Sequence, residues 1–546
     1  RGENLFHSFE EFNVNTGQQV YFANPIGIET ILSRVTGTNL SDIDGVLGVN
    51  GAANLFLLNP NGITFGPNAV LDLSGSFTAS TADTVDFEDG GVFSAVTPEG
   101  GQFLTVSVPL GVQFAQQPQG DIANDGELTV GTGQFLTLFG DTVVNNGSLT
   151  ASSGTVEVLG SQVSLIGDQS TIDVSGLQGG QVLIDAENID LSSGLIDISG
   201  TETGGELTVY ANKELNLGIA VDAGGGGHAL FDPPTLTVNA PEANTLVTTL
   251  ADGDATISAS ETININAVID SSIQTNSNIL TLEDENDDGV LEINLNAPIL
   301  LGTNQGLLGD GSTVNVNVTN PSIVQNGIDV TLTGGTVNLT AGAYREGRTV
   351  IIDRDVTLQG QAAGNTILDG SNSHSVLQVN NGNVNINNLT IANGLAQGGN
   401  AERGGGGGLG AGGGIFIDNG DVTINGVIFS GNQAIGGNAT GIAGAGSGGA
   451  TAAQTRTAIS GPGGDGGDGG GLNGSVGGGG GGGAPGATVK NSFVDGNAGT
   501  SGTSLEPNSA IFGNGGGGGG GGSGNEAAGP VENKHPRANA GASGGA

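Results

Sequence analysis

The chain contains no cysteine, methionine or tryptophan, and only three tyrosines among its 546 residues. Without cysteine there is no disulfide framework, thiolate zinc cluster or thiol nucleophile. Basic residues are also scarce: 11 Lys and Arg stand against 54 Asp and Glu, for a net charge of -43. Such a surface repels phosphate backbones and anionic lipid, so nucleic acid and membrane surfaces are set aside as partners. No run of about 18 uninterrupted apolar residues occurs, so no membrane span is expected. The first residue is Arg1 rather than methionine, which reads as an internal fragment or a processed chain.

What is plentiful is glycine, with 107 copies. Val, Ile, Thr, Asn, Asp and Ser supply most of the rest, the vocabulary of short strands and tight turns. The middle of the chain repeats itself. "STIDVSG" (170–176) returns as "GLIDISG" (194–200), with Asp197 in the place of Asp173. "GGQVLI" (179–184) returns as "GGELTV" (204–209). Each unit holds three short apolar strands separated by Gly, Asp, Asn or Ser. A period in the twenties built this way is a solenoid. Leucine-rich repeats need a fixed Leu spacing and a helical segment, and neither is present. A parallel β-helix fits: one coil cannot bury its apolar face alone, so each is stabilised by its neighbours.

A second array lies further along the chain. "VNINNLTIANG" (384–394), "VTINGVIFSGN" (422–432) and "ATVKNSFVDGN" (487–497) align without gaps. Gly-rich fillers, the longest at 433–486 and 513–530, separate them. We read the fillers as excursions from one corner, tolerable because loop closure costs only about 0.6 kcal/mol per doubling of length. Between the arrays, at about 225–348, the rhythm is less regular but the β-helix is expected to continue.

"NLFLLNPNGITFG" (54–66) breaks a strand with four turn-formers and resumes at once. Pro60 suits the second position of a β-turn, Asn61 and Gly62 tolerate the turn's next, less usual conformations, and Asn59 can bond to neighbouring backbone. So this is a corner between two coil faces. In sequence, "NLFHSFEEFNV" (4–14), "VYFANPIGIETILSRVTG" (20–37), "IDGVLGVNGAANLFLLNPNGITFGPNA" (43–69) and "SVPLGVQF" (107–114) occur in that order. Together they resemble the two-partner secretion domain of filamentous haemagglutinin-like exoproteins, especially the cyanobacterial branch. The resemblance implies an all-β, right-handed parallel β-helix, exported through an outer-membrane transporter with periplasmic POTRA domains. It also implies a secreted product, extracellular or on the outer-membrane surface, acting as an adhesin on a surface glycan or other cell-surface target. The family's Asn-Pro-Asn-Gly motif maps onto Asn59, Pro60, Asn61 and Gly62. Its Asn-Pro-Asn-Leu motif has a partial counterpart in Asn24 and Pro25, followed here by Ile26 and Gly27. The C-terminal array resembles pectin-lyase-like repeats. The expected domains are 1–115 (secretion domain), 116–345 (β-helix passenger), 346–500 (pectin-lyase-like repeats with Gly-rich insertions) and 501–546 (low-complexity tail).

Because β-helices also carry polysaccharide lyases and hydrolases, a carbohydrate-active enzyme is the alternative. Its best cluster is "IIDRDVTLQG" (351–360), with Asp353, Arg354 and Asp355, followed by His374. Turn and surface charge is the simpler reading, so no catalytic residue is assigned and the protein is expected not to be an enzyme. Asp284, Asn286, Asp288 and Glu292 match part of a calcium loop, but Leu295 stands where the bidentate acid belongs. Calcium is therefore the one candidate cofactor, against the reading of a plain acidic turn. His7, between Phe6 and Phe9, reads as packing, and His228 as a loop residue.

Overall fold

A computed structural model describes residues 2–87, 91–97, 109–113, 120–165, 167, 169–319, 323–402, 408–440, 457–459 and 489–490. Two compact units share the chain: Arg1–Leu291 with Ile299–Gly309, and Glu292–Pro298 with Asp310–Ala546.

In the first unit, short strands pair in parallel with their counterparts one coil away. One column of paired residues runs Leu5, Ile31, Leu55, Phe77, Leu136, Val156, Val182, Leu207, Ala229, Ala255, Leu280 and Leu307. Its ten inner members are buried, while Leu5 and Leu307 are half-buried. The alternation of the strands fixes this: a one-residue slip would turn every apolar side chain outward. The repeats read from the sequence are these pairings. Ile172 lies on Ile196 and Asp173 on Asp197 in one sheet, and Val182 on Leu207 in another. The chain is thus a parallel β-solenoid, as expected.

A small sheet in this unit departs from parallel winding. Strands Thr84–Phe87, Val92–Ser94 and Pro109–Gln113 pair antiparallel. Val85, Phe87 and Phe93 from it pack on Leu32 and Leu58, with Phe6 and Phe56 beside them. A second apolar core therefore lies on the outer side of the coil strands. Arg34 is nearly buried there. Its guanidinium sits 4.5 Å over the Phe93 ring and donates to Ser8 Oγ (2.7 Å) and the Ser94 carbonyl. Of "SVPLGVQF", only 109–113 lie within the described residues.

Helix α1 (Ala240–Asp252) interrupts the strands, which the irregular rhythm of 225–348 did not foretell. The Glu242 carboxylate accepts from the Asn239 N–H (2.8 Å) and closes its first turn. Ala243, Leu246 and Leu250 are buried, and Thr245 Oγ1 donates to the Ile219 carbonyl (2.7 Å) beside the strand Ala220–Asp222.

The second unit repeats the principle. Ile293, Val314, Val337, Leu358, Ile386 and Ile424 form one fully buried column. A short helix, α2 (Val324–Asp329), packs beside it. Val384 pairs with Val422 and Thr390 with Ile428, as the second array predicts. Two details differ. The filler read as beginning at 433 is still coil: Gln433–Ile435 pairs with Leu395–Gln397, and Ala439–Thr440 with Ala401–Glu402. Val422 pairs with Val489, two residues beyond the gapless alignment. The filler at 513–530 and the tail at 501–546 lie outside the described residues.

Candidate functional site

The corner at 59–62 joins the strands Asn54–Leu58 and Ile63–Phe65. The Gly62 N–H donates to the Asn59 carbonyl (3.1 Å), which closes the β-turn. Asn59 is fully buried. Its amide nitrogen donates to the Asn39 carbonyl (3.1 Å) and Ser41 Oγ (3.0 Å), on the preceding coil. Its amide oxygen accepts from the Asn61 backbone N–H (3.1 Å) and side-chain nitrogen (3.0 Å). Asn61 is exposed, yet its side chain also donates to the Gly37 carbonyl (2.9 Å). Pro60 is half-buried. On the other side the corner meets the coil at 120–121, where the Ile63 N–H donates to the Asp121 carbonyl (2.9 Å). Gly62 has φ +119°, and a Cβ on Gly120 would lie 2.6 Å from the Pro60 carbonyl oxygen.

So Asn59 is not a group offered to solvent. It welds its turn to the coil before it, and the groups on the surface are Asn61 and the half-covered Pro60. Sequence reasoning placed the turn but not this burial, because nothing local distinguishes an inward Asn from an outward one.

Asn24 plays the same part at a different corner. Its amide, oriented by its hydrogen-bond network, accepts from the N–H groups of Ala53 (2.9 Å) and Ala52 (3.2 Å). It donates to the carbonyls of Pro25 (3.1 Å) and Ile28 (3.0 Å). Pro25 and Ile28 close a turn through the Ile28 N–H (3.1 Å). Ile26 points fully into solvent, an apolar side chain with nothing over it. An acid ties a further pair of turns together. Asp44 accepts from Thr16 Oγ1 and from the Asn68 N–H (2.9 Å), and these bonds hold its carboxyl below the usual range.

The other residues singled out by sequence fall elsewhere. Asp284 is buried and turned onto its own loop, accepting from the N–H groups of Asn286 (3.2 Å), Gly289 (2.9 Å) and Val290 (3.3 Å). Asp288 accepts from Val290 N–H (3.0 Å). Glu292 lies on a strand of the second unit and accepts from Asn315 (2.7 Å). Among the described residues, no three His, Asp or Glu side chains converge as a metal-holding group.

Asp353 and Arg354 are paired at 3.4 Å, but Arg354 also donates to the Asp329 and Thr331 carbonyls. Asp355 accepts from Asn383 instead. His374 turns its Nδ1 to the Ser375 carbonyl (2.8 Å) and lines a separate cleft. His7 packs against Phe9 and Phe22, and burial lowers its pKa. His228 sits on a strand, its Nε2 2.9 Å from Thr256 Oγ1, rather than in a loop. No helix among the described residues is long and apolar enough to cross a membrane.

Comparison with known proteins gives three findings. The crystal structure of the HMW1 secretion domain from Haemophilus influenzae aligns over 71% of this chain and 91% of that one, at 18% identity and a TM-score of 0.35. The heme/hemopexin-binding protein of Haemophilus influenzae is 26% identical over 149 residues, which span 27% of this chain and 14% of that protein's length. The region that holds both asparagine corners, residues 1–228, matches the TPS secretion domain family.

Proposed function

We propose that residues 1–228 direct export of an exoprotein through a two-partner outer-membrane transporter, whose periplasmic POTRA domains read the asparagine corners. The observation that carries this reading is the secretion-domain match over the segment containing the Asn24 and Asn59 turns. The downstream coils are then the passenger, wound right-handed and delivered to the cell surface or medium, where they act in adhesion to a glycan or other surface target. The protein is read as non-enzymatic.

The physical properties of the chain support this route. Absence of cysteine prevents disulfide trapping before the outer membrane. A solenoid can nucleate at one end and add coils as they emerge. An acidic, Gly-rich chain with few aromatics resists early collapse.

The test is a reporter fused to residues 1–228 behind a signal peptide, in cells with and without the partner transporter. Reporter in the medium only when the transporter is present supports the proposal. Transporter-independent release, or retention in both strains, overturns it.

A further inference from the structure

Three of the chain's 11 Lys and Arg residues fall within 345–354. For a chain of net charge -43, this is an unusual local concentration. They do not share one fate. Arg345 binds Asp369 at 3.0 Å, and Arg354 is held by Asp353 and two backbone carbonyls. Arg348 is exposed and makes no hydrogen bond or ion pair among the described residues; the half-buried Asp329 feels its field without bonding to it.

Arg348 lines a small cleft in the second unit with Tyr344, Glu346, Asp369 and His374. Val324, Val350, Leu368 and Val376 form its apolar walls. Both acids there are already committed. Asp369 accepts from Arg345, Asn393 (3.0 Å) and the Ser371 N–H (2.9 Å). Glu346 accepts from the N–H groups of Val324 and Gln325, both at 3.1 Å, at the start of α2. His374 is only half committed: its Nε2 is buried without a hydrogen-bond partner among the described residues. A buried, unbonded ring nitrogen costs free energy that a bound partner would recover. With Nδ1 donating to the Ser375 carbonyl, Nε2 donates as well in the ring form that carries both protons.

We propose that this cleft takes the oxyanion of a carboxylate-bearing ligand, with Arg348 supplying charge and His374 Nε2 a hydrogen bond. Its volume of about 10 Å³ admits one water-sized group, so a single carboxylate oxygen enters while the rest of the ligand stays outside against Arg348. Acidic sugars and simple carboxylates share this chemistry. The proposal stands apart from the export reading, since it uses only residues of the second unit.

The chain has four histidines, so the His374 ring signal can be assigned by NMR through loss in His374→Gln. The full chain is titrated with sodium glucuronate, sodium acetate and neutral glucose. Glucuronate should shift the His374 signal saturably and glucose should not. Acetate matching glucuronate assigns recognition to the carboxylate alone, whereas weaker acetate binding adds a sugar contribution; both support the site. Arg348→Ala should weaken binding at least roughly tenfold, and Arg348→Gln, which keeps a polar side chain but not the charge, should do the same. Lys213→Ala, on the first unit, should leave it unchanged. No saturable shift with either acid, an equal response to glucose, or full binding in both Arg348 variants would overturn the proposal.

Discussion

The amide nitrogen of Asn59 donates to Ser41 Oγ at 3.0 Å, joining two coils across 18 residues of chain. Both groups are fully buried. The bond turns a local β-turn into a link between layers, and so ties the surface at 60–61 to the strand Ser41–Ile43. A partner that reads this corner would read a shape set by a residue it does not touch.

Gly120 should not tolerate a side chain. An added Cβ would meet the Pro60 carbonyl oxygen at 2.6 Å and the Gly62 nitrogen at 2.8 Å, both backbone atoms that cannot swing away. Gly120→Ala should destabilise the first unit by about 1–3 kcal/mol, as overpacking does. Gly133→Ala is the comparison: open space surrounds it, although its φ of +74° adds strain of its own. Denaturant melts of both variants check the order, and equal or smaller loss at Gly120 would contradict it.

Arg34 should not tolerate lysine. Its planar guanidinium stacks on Phe93 while donating to Ser8 Oγ and the Ser94 carbonyl, a combination an ammonium cannot reproduce. Arg34→Lys should loosen the antiparallel sheet and cost about 1–3 kcal/mol through unsatisfied buried acceptors. Hydrogen exchange at Val85 and Phe93 should speed up while exchange at Leu207 stays slow.

Asp232 sets a pH dependence. Burial first, then the charges of Glu285 and Glu283, push its carboxyl from 3.8 up to about 6. Folding therefore favours its protonated form. That contribution is fully present below pH 3.8 and is lost as pH rises through about 6. Asp185, two steps along the same column through Tyr210, is raised by burial as well, with Asn212 opposing. Asp232→Asn should stabilise the first unit at neutral pH and flatten the gain in stability on acidification across this window. An unchanged pH profile would contradict the assignment.

Much of this fold can be read from the chain because the repeat and the pairing are the same object. Ile172 and Ile196, or Val384 and Val422, stack since each coil places like residues at like positions. The antiparallel cover was harder to see, although "TILSRV" carries a clue. All six residues from Thr30 to Val35 are buried, and a strand covered on both faces needs something packed outside it. Helix α1 had its signal in Asn239 followed by Glu242, but its Thr-rich interior resembles the strands around it. The cleft at Arg348 is assembled from α2 and separate strands and loops, so no local window contains it.

The central claim is that the buried Asn59 shapes the corner through which the chain is exported. Asn59→Ala removes its bonds to Asn39, Ser41 and Asn61 while leaving the backbone turn residues in place. The deciding measurement is the amount of chain in the medium against that held in the periplasm, for wild type and Asn59→Ala, in cells carrying the partner transporter. The account predicts that the variant stays in the periplasm, whereas secretion at the wild-type level would contradict it.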